Sequence, residues 1–226
     1  MHGFLDTPSL FSLISPPPDS SSGEKAIDPT GVLGHVQGLL AAAEQAGVPP
    51  TALLLSVLAR RDRTVAARAR RTAEWARLLA ESLGRRDIAP QAHDVALLAD
   101  IGHLALVQTR DNPWFEWQRR RASHDLLRAV PALTHLAPAV LSVSERFDGA
   151  GLPAGLQGTE IPLTARIVRL VRDFDLASQG WWPGQSTAVG ARACFELVSL
   201  AGQTLDPALV HTWLGVLDRE VAADVA

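Results

Sequence analysis

Two separate stretches of the chain carry residues that could bind a metal ion. Asp100 and His103 lie three apart in a mostly apolar segment, and Asp173 follows the apolar pair Leu170-Val171. A carboxylate and an imidazole at this spacing share one face of a helix and are a usable pair of metal ligands. Because two ligands at helical spacing often arise by accident, we expect neither a metal nor another cofactor here.

Arginines form a second group that could do chemistry. They crowd residues 60–71 and recur as the triplet Arg119-Arg120-Arg121. Unpaired guanidinium groups favour phosphate, so a phosphate-bearing small ligand is one hypothesis. The formal charge of -3 argues against bulk attraction to nucleic acid or to an anionic membrane. We therefore expect the arginines to lie mostly on solvated helix faces, with no nucleic-acid or membrane partner.

Composition and periodicity predict an all-α fold. Hydrophobic residues make up 47% of the chain and aromatic residues 5%, and steps of three and four dominate the apolar pattern. We find no apolar run of membrane-spanning length and no signal peptide, which predicts a cytoplasmic protein. The predicted helices cover residues 30–46, 51–60, 64–84, 91–107, 114–128, 133–145, 163–178, 187–201 and 207–221.

The chain divides into three predicted parts. Residues 1–27 contain a proline triplet and a serine run, which predict a flexible tail. Residues 28–60 form an N-terminal helical extension, through which a homodimer is one hypothesis. Residues 61–226 form the main domain, an HD-type helical bundle as the resemblance described next implies. Glycines between residues 149 and 158 predict an ordered loop within it.

Three stretches together resemble the HD-GYP branch of the HD phosphohydrolase superfamily. They are residues 61–84, the segment Ala96-Leu97-Leu98-Ala99-Asp100-Ile101-Gly102-His103, and the run from Glu145 to Leu156 with Ile161-Pro162-Leu163 after it. The resemblance implies a helical bundle whose histidines and aspartates bind two or three iron or manganese ions. In that family the metals activate water to cleave cyclic di-GMP.

Most residues at the implied metal-binding positions differ from those of the family. Carried over by position, these places hold Arg68, Ala99, Asp100, Arg119, Val143, Ser144 and Asp173. The glycine–tyrosine–proline signature reads Gly151-Leu152-Pro153, and His103 replaces a catalytic lysine. Two carboxylates cannot hold a pair of divalent cations, and guanidinium groups repel metals. We hypothesise that Arg68 and Arg119 form salt bridges with Asp100 and Asp173 in the former metal site.

The sequence therefore predicts a degenerate HD-GYP pseudo-enzyme that acts in bacterial signalling by binding another protein. In the resembled family the corresponding glycine loop contacts diguanylate cyclase domains, so the resemblance implies a diguanylate cyclase-type or other signalling partner. Two alternatives remain open: a sensor of cyclic di-GMP or another nucleotide, and a residual metal-dependent phosphodiesterase using Asp100, His103 and Asp173. Further predicted ligand or partner contacts are His103, Trp114, Trp117, Arg146, Arg166, Trp181 and Trp182.

Overall fold

The computed structural model describes residues 34, 38, 47–105, 113–179 and 187–225. The eight helices with bounds in these ranges are α1 Pro50–Arg61, α2 Arg63–Ser82, α3 Ala89–Leu98, α4 Pro113–Arg128, α5 Ala137–Ser142, α6 Leu163–Ser178, α7 Thr187–Leu200 and α8 Pro207–Val225. Short 3-10 helices cover Ile101–Leu104, Pro131–Leu136 and Gly158–Glu160. Extended pairing within the described ranges is confined to two isolated bridges. The all-α prediction is confirmed.

The longest helix, α2, shows how the sequence produces the bundle. Asp62 caps its start, because its carboxylate accepts the backbone N–H groups of Thr64 and Val65 at 2.9 and 3.0 Å. Small and branched apolar residues then recur every three or four positions and are buried. This face packs mainly against α3 and α6, which places Arg68 beside the turn that follows α3.

Three aromatic rings join α2, α6 and α8. The ring centroids of Trp75 and Phe174 are 5.3 Å apart, and those of Phe174 and Trp213 are 5.4 Å apart, both edge to face. Trp213 is fully buried, as its apolar neighbours in the sequence predict. Aromatic pairs in this arrangement add stability beyond their buried area, so α8 is fixed onto the bundle.

The N-terminal extension is only partly described. Of the helix predicted over 30–46, Gly34 and Gly38 are described, and both are helical and exposed. Its second helix, α1, buries Leu54, Leu55 and Leu58 in the common core. The predicted tail, residues 1–27, lies outside the described residues. No helix in the described ranges combines the length and apolarity needed to cross a membrane.

Two predicted helices are wrong in extent. The helix predicted over 91–107 stops at Leu98 and continues as a 3-10 turn, and the one predicted over 133–145 begins as a 3-10 turn and ends at Ser142. The first break has a tertiary cause, because α4 supplies the partners of the carbonyl at residue 99. Helical periodicity does not register such contacts from elsewhere in the chain.

The glycine loop is ordered by its own short contacts. The carboxylate of Asp148 accepts the Ala150 N–H at 3.0 Å, and buried Glu145 accepts the Ala154 N–H at 2.7 Å. Gly151 lies so close to the preceding backbone that a Cβ atom would overlap the Arg146 nitrogen and the Glu145 Cα. The loop therefore needs glycine at position 151 for steric reasons.

Candidate functional site

The site is built where α3 ends. The Ala99 carbonyl, which a continuing helix would use internally, accepts Arg120 Nη1 at 2.6 Å and the Ser123 hydroxyl at 2.8 Å. The Gly102 N–H donates to Ser123 Oγ at 2.8 Å. A Cβ atom on Gly102 would overlap the Arg119 carbonyl, so the turn and α4 can approach this closely only with glycine there. This turn holds Asp100 inside the bundle.

Asp100 is surrounded by guanidinium groups. The residue is 2% exposed, and its two oxygens accept Arg172 Nη1 at 2.5 Å and Arg120 Nη1 at 2.9 Å. Arg68 Nε lies 3.9 Å from Oδ2. We call Asp100, Arg68, Arg120 and Arg172 the arginine cluster. Three helices, α2, α4 and α6, each supply one of its arginines.

The cluster favours the ionised form of Asp100. Burial by itself would raise the pKa of this carboxyl group, but the charges of Arg172 and Arg120 oppose burial. Together with the Arg172 hydrogen bond and the more distant Arg68, they hold the pKa well below its ordinary value. Asp100 is thus a permanent anion at physiological pH and a strong internal anchor for guanidinium groups.

Positive charge exceeds negative charge around the cluster. Glu116 adds a second carboxylate, with its Oε1 3.5 Å from Arg120 Nη2, so three guanidinium groups face two carboxylates. Burial, reinforced by the charge of Arg172, lowers the pKa of Arg120 to about 10. Burial also lowers the pKa of His103 to about 4; the charge of Asp100 opposes this shift, and the charges of Arg119, Arg68 and Arg120 add to it. His103 is therefore neutral near pH 7.

The structure corrects the predicted pairing of the arginines. Arg68 reaches Asp100 as expected, but Arg119 pairs with neither aspartate, and Asp173 binds Arg169 at 2.9 Å. The physical reason is helical phase: the position after Arg119 points inward, so Arg120 takes the contact and Arg119 is only half-buried. The hypothesis of a salt-bridged site holds for Asp100 and is wrong for Arg119 and Asp173.

Sequence reasoning missed Arg120 and Arg172. Arg172 stands in the inward-facing pattern of α6, four residues after Val168 and three before Asp175, all of them buried. That periodicity was a signal for a buried arginine and for a partner within the core. The sequence indicated Arg120 less clearly, because residues 119–121 are all arginine and only one of these three positions faces the core.

Two further predicted contact residues are engaged within the chain. Arg166 donates from Nη1 to Asp206 at 2.5 Å and from Nε to the Ile161 carbonyl at 3.0 Å. Asp206 in turn caps α8 through the Ala208 N–H at 2.9 Å, as the sequence predicts for an aspartate before proline. Arg146 binds Asp148 through Nε at 3.0 Å. The structure thus gives both arginines structural partners.

The remaining predicted site residues are dispersed. Ala99 and Val143 are buried among apolar side chains, Ser144 and Trp117 are half-buried, and Leu152 and Pro153 are exposed at the glycine loop, beside half-buried Gly151. Trp114 belongs to α4, but its side chain lies outside the described part of the structure. Trp181 and Trp182 also lie outside the described residues.

The donor set around Asp100 does not fit the metals that the resemblance implies. Both carboxylate oxygens already accept guanidinium groups, which cannot act as metal ligands. Across the described ranges, no three or more His, Cys, Asp and Glu residues are grouped so that they could hold a metal ion. The cluster can organise a buried anion, but it offers no open coordination position.

Comparisons with curated proteins give two relatives named cyclic di-GMP phosphodiesterase. One, from Vibrio cholerae serotype O1, is 34% identical over 93 residues, which are 40% of this chain and 17% of that protein. The other, from Thermotoga maritima, is 34% identical over 91 residues, which are 40% of this chain and 24% of that protein. The matched stretch is therefore less than a quarter of either relative.

A solved structure and a family model agree with the helical architecture. The structure is that of a cyclic GMP-AMP specific phosphodiesterase from V. cholerae, with a TM-score of 0.56, 19% identity, and coverage of 70% of this chain and 46% of the other. At this identity the likeness supports the fold. A family model described as HD domain matches residues 52–209. Because that match spans most of the chain, the protein belongs to the HD domain family.

Proposed function

We propose that this chain is a non-catalytic HD domain that works in the cytoplasm as a regulatory module of bacterial signalling, by binding another protein. The observation that carries the proposal is the binding of both Asp100 oxygens by Arg120 and Arg172. In the resembled family this aspartate is a metal ligand. A metal would have to displace two buried guanidinium groups and stand close to the positive charge of a third.

The positions aligned with the family's other ligands support the same proposal. Arg68 adds positive charge, the side chains of Ala99 and Val143 have no ligand atoms, and Asp173 is paired with Arg169. A residual hydrolase using Asp100, His103 and Asp173 would have to free both aspartates from the arginines that bind them. These pairings favour the residual phosphodiesterase least among the functions considered, and the following experiment can detect it.

Metal content and hydrolysis test the absence of catalysis. The purified protein, expressed with iron and manganese supplied, is analysed for bound metal and incubated with cyclic di-GMP. The T. maritima relative serves as the positive control. We expect no stoichiometric metal and no linear dinucleotide product. Stoichiometric iron or manganese together with turnover would show instead a residual phosphodiesterase.

The glycine loop is the surface that we propose for a signalling partner of the diguanylate cyclase type. Leu152 is 46% exposed at its tip, beside exposed Pro153 and Ala154. An apolar side chain held on an ordered loop can fill a partner's pocket with little entropic cost. Binding of a diguanylate cyclase domain should be lost in Leu152→Glu and kept in the control Val48→Glu, since Val48 is 40% exposed in another part of the chain. Equal binding by both variants would contradict this assignment.

One observation favours a second candidate function, a cyclic dinucleotide sensor. The cluster has more guanidinium groups than carboxylates, and the Nε atoms of Arg68 and Arg120 are buried without a hydrogen-bond partner among the described residues. Arg68 keeps 23% of its side chain exposed, so an anion could reach it. Calorimetric titration with cyclic di-GMP, with the linear guanine dinucleotide as control, tests this. Saturable, selective heat that disappears in Arg68→Met would favour the sensor.

A further inference from the structure

Helix α7 exposes an apolar face to solvent. Phe195 is 75% exposed and Val198 is 53% exposed, and exposed Ala191 lies one turn before Phe195. Because these three positions are four and three residues apart, they share one face of the helix. The opposite face, with Ala193 and Leu197, is already buried against the core. A contiguous apolar face that the described part of the chain leaves exposed is typical of an interaction surface.

Two opposite charges border this face along one edge. Arg192 Nε lies 3.1 Å from Glu196 Oε1, and the side chains remain 75% and 41% exposed. They are one helical turn apart, with the basic residue nearer the N-terminus of the helix. The face therefore has a direction, positive at one end and negative at the other.

This pattern is complementary to itself. When two identical helices pair antiparallel about a two-fold axis, the same edge of both helices lies on the same side of the pair. Along that side, the residue numbers of one helix increase while those of the other decrease. A pairing centred on residue 194, midway between the two charges, puts Arg192 of each copy beside Glu196 of the other. The same register brings the Phe195 rings together at the centre and Ala191 near Val198 of the other copy.

We propose that α7 is a self-association surface that pairs antiparallel with α7 of a second copy of this chain. The match of both charge and apolar contacts in a single register favours a second copy over an unrelated partner. Because α7 has 14 residues, it is about 21 Å long. A contact limited to it falls short of the ~800 Å² per partner of a standard interface, so the dimer is weak and depends on concentration. The proposal does not depend on the proposed function.

Charge exchange tests the pairing directly. Sedimentation velocity over a wide concentration range is run on the wild type, Arg192→Glu, Glu196→Arg, their equimolar mixture and the double variant. Each single variant places like charges together at two points, so we expect its dimer to weaken by about tenfold or more. The mixture and the double variant restore opposite charges at both points and should associate as the wild type does.

Matched controls separate the interface from helix stability. Arg77→Glu removes an exposed pair with the same spacing on α2, where Arg77 Nη1 lies 2.8 Å from Glu81 Oε1, and should leave association unchanged. Phe195→Glu should abolish association, whereas Val48→Glu should not. Circular dichroism and thermal unfolding check that each variant is folded.

The single cysteine gives an independent readout. Cys194 is half-exposed and is the only cysteine of the chain, and the proposed register places the two copies of it opposite each other. A short bismaleimide should therefore join two wild-type chains but not two Phe195→Glu chains. Three results would overturn the proposal. The wild type could be monomeric at every concentration, the mixture could associate no more tightly than either variant alone, or the dimer affinity could be unchanged by every substitution in α7.

Discussion

The arginine cluster and the glycine loop differ in how far they keep the residues of the resembled family. At the cluster, most places of the implied metal ligands hold other residue types, and buried Asp100 is bound by arginines. At the loop, the glycines and the downstream Ile161-Pro162-Leu163 match the family's pattern. Gly151 is fixed there by close backbone contact. Folding therefore requires glycine at position 151, whereas the positions of the implied metal ligands tolerate other residue types in this fold.

The contrast explains why a changed site need not unfold the domain. Metal ions supply positive charge at the centre of a bundle, and buried guanidinium groups can supply positive charge as well. Asp100 then keeps partners for both oxygens, which a buried carboxylate requires. The cluster thus gives buried Asp100 positively charged partners, and the loop joins α5 to α6.

The largest expected effect is on the cluster. Arg120→Met removes the partner of Asp100 Oδ1 and one of the two donors to the Ala99 carbonyl, and it leaves a buried charge incompletely paired. We expect the free energy of unfolding to fall by about 3 to 5 kcal/mol, measured by urea denaturation. Arg119→Met is the matched control one residue away, and we expect a change of less than about 1 kcal/mol. Similar losses in both variants would contradict the pairing.

The next effect is a pH dependence caused by His103. Its folded pKa of about 4 lies below the ordinary value of about 6.5, so the unfolded state binds the proton more tightly. The stabilising contribution is present above about pH 6.5 and is lost as the pH falls towards about 4, by at most roughly 3 kcal/mol. Unfolding of the wild type and His103→Gln across this interval measures it.

His93 provides the control for that measurement. Hydrogen bonding to Asp94 raises the pKa of His93 despite partial burial. Its contribution is therefore present below the unfolded pKa and is lost as the pH rises through the folded pKa. His93→Gln should change the pH dependence in the direction opposite to His103→Gln. If the two substitutions change the slope of unfolding free energy against pH in the same direction, His103 is not held neutral in the folded protein.

A smaller effect is expected at the loop. Gly151→Ala forces a Cβ atom against the backbone of Glu145 and Arg146 and should cost about 1 to 3 kcal/mol. Gly215 is an instructive control, because it lies exposed in α8 and a Cβ atom there meets nothing within 4 Å. Gly215→Ala should stabilise the protein by about 0.5 to 1 kcal/mol. If thermal unfolding shows that both substitutions change the stability in the same direction, the close backbone contact is not the reason that position 151 requires glycine.

The sequence predicted the helices, the ordered loop and the anchoring of Asp100 better than it predicted the partners of Asp100. Periodicity and caps are local, so α2 and the start of α8 follow from neighbouring residues. The choice between Arg119 and Arg120 depends on the rotation of α4 against the turn at Gly102, which no local pattern contains. Arg172 could have been found from the buried face of α6, but not which carboxylate it binds.

The smallest effect should come from the ion pair of the loop. Asp148 accepts Arg146 Nε at 3.0 Å, as Asp100 accepts Arg120, but its side chain is 30% exposed. Hydrogen bonding to Arg146 and to the Ala150 N–H lowers the pKa of Asp148 to about 2. After Arg146→Met, water can hydrate the remaining carboxylate, so the free energy of unfolding should change far less than in Arg120→Met. Carboxyl NMR should show the pKa of Asp148 rising towards its ordinary value. A loss of stability as large as that of Arg120→Met would mean that burial is not what separates the cluster from the loop.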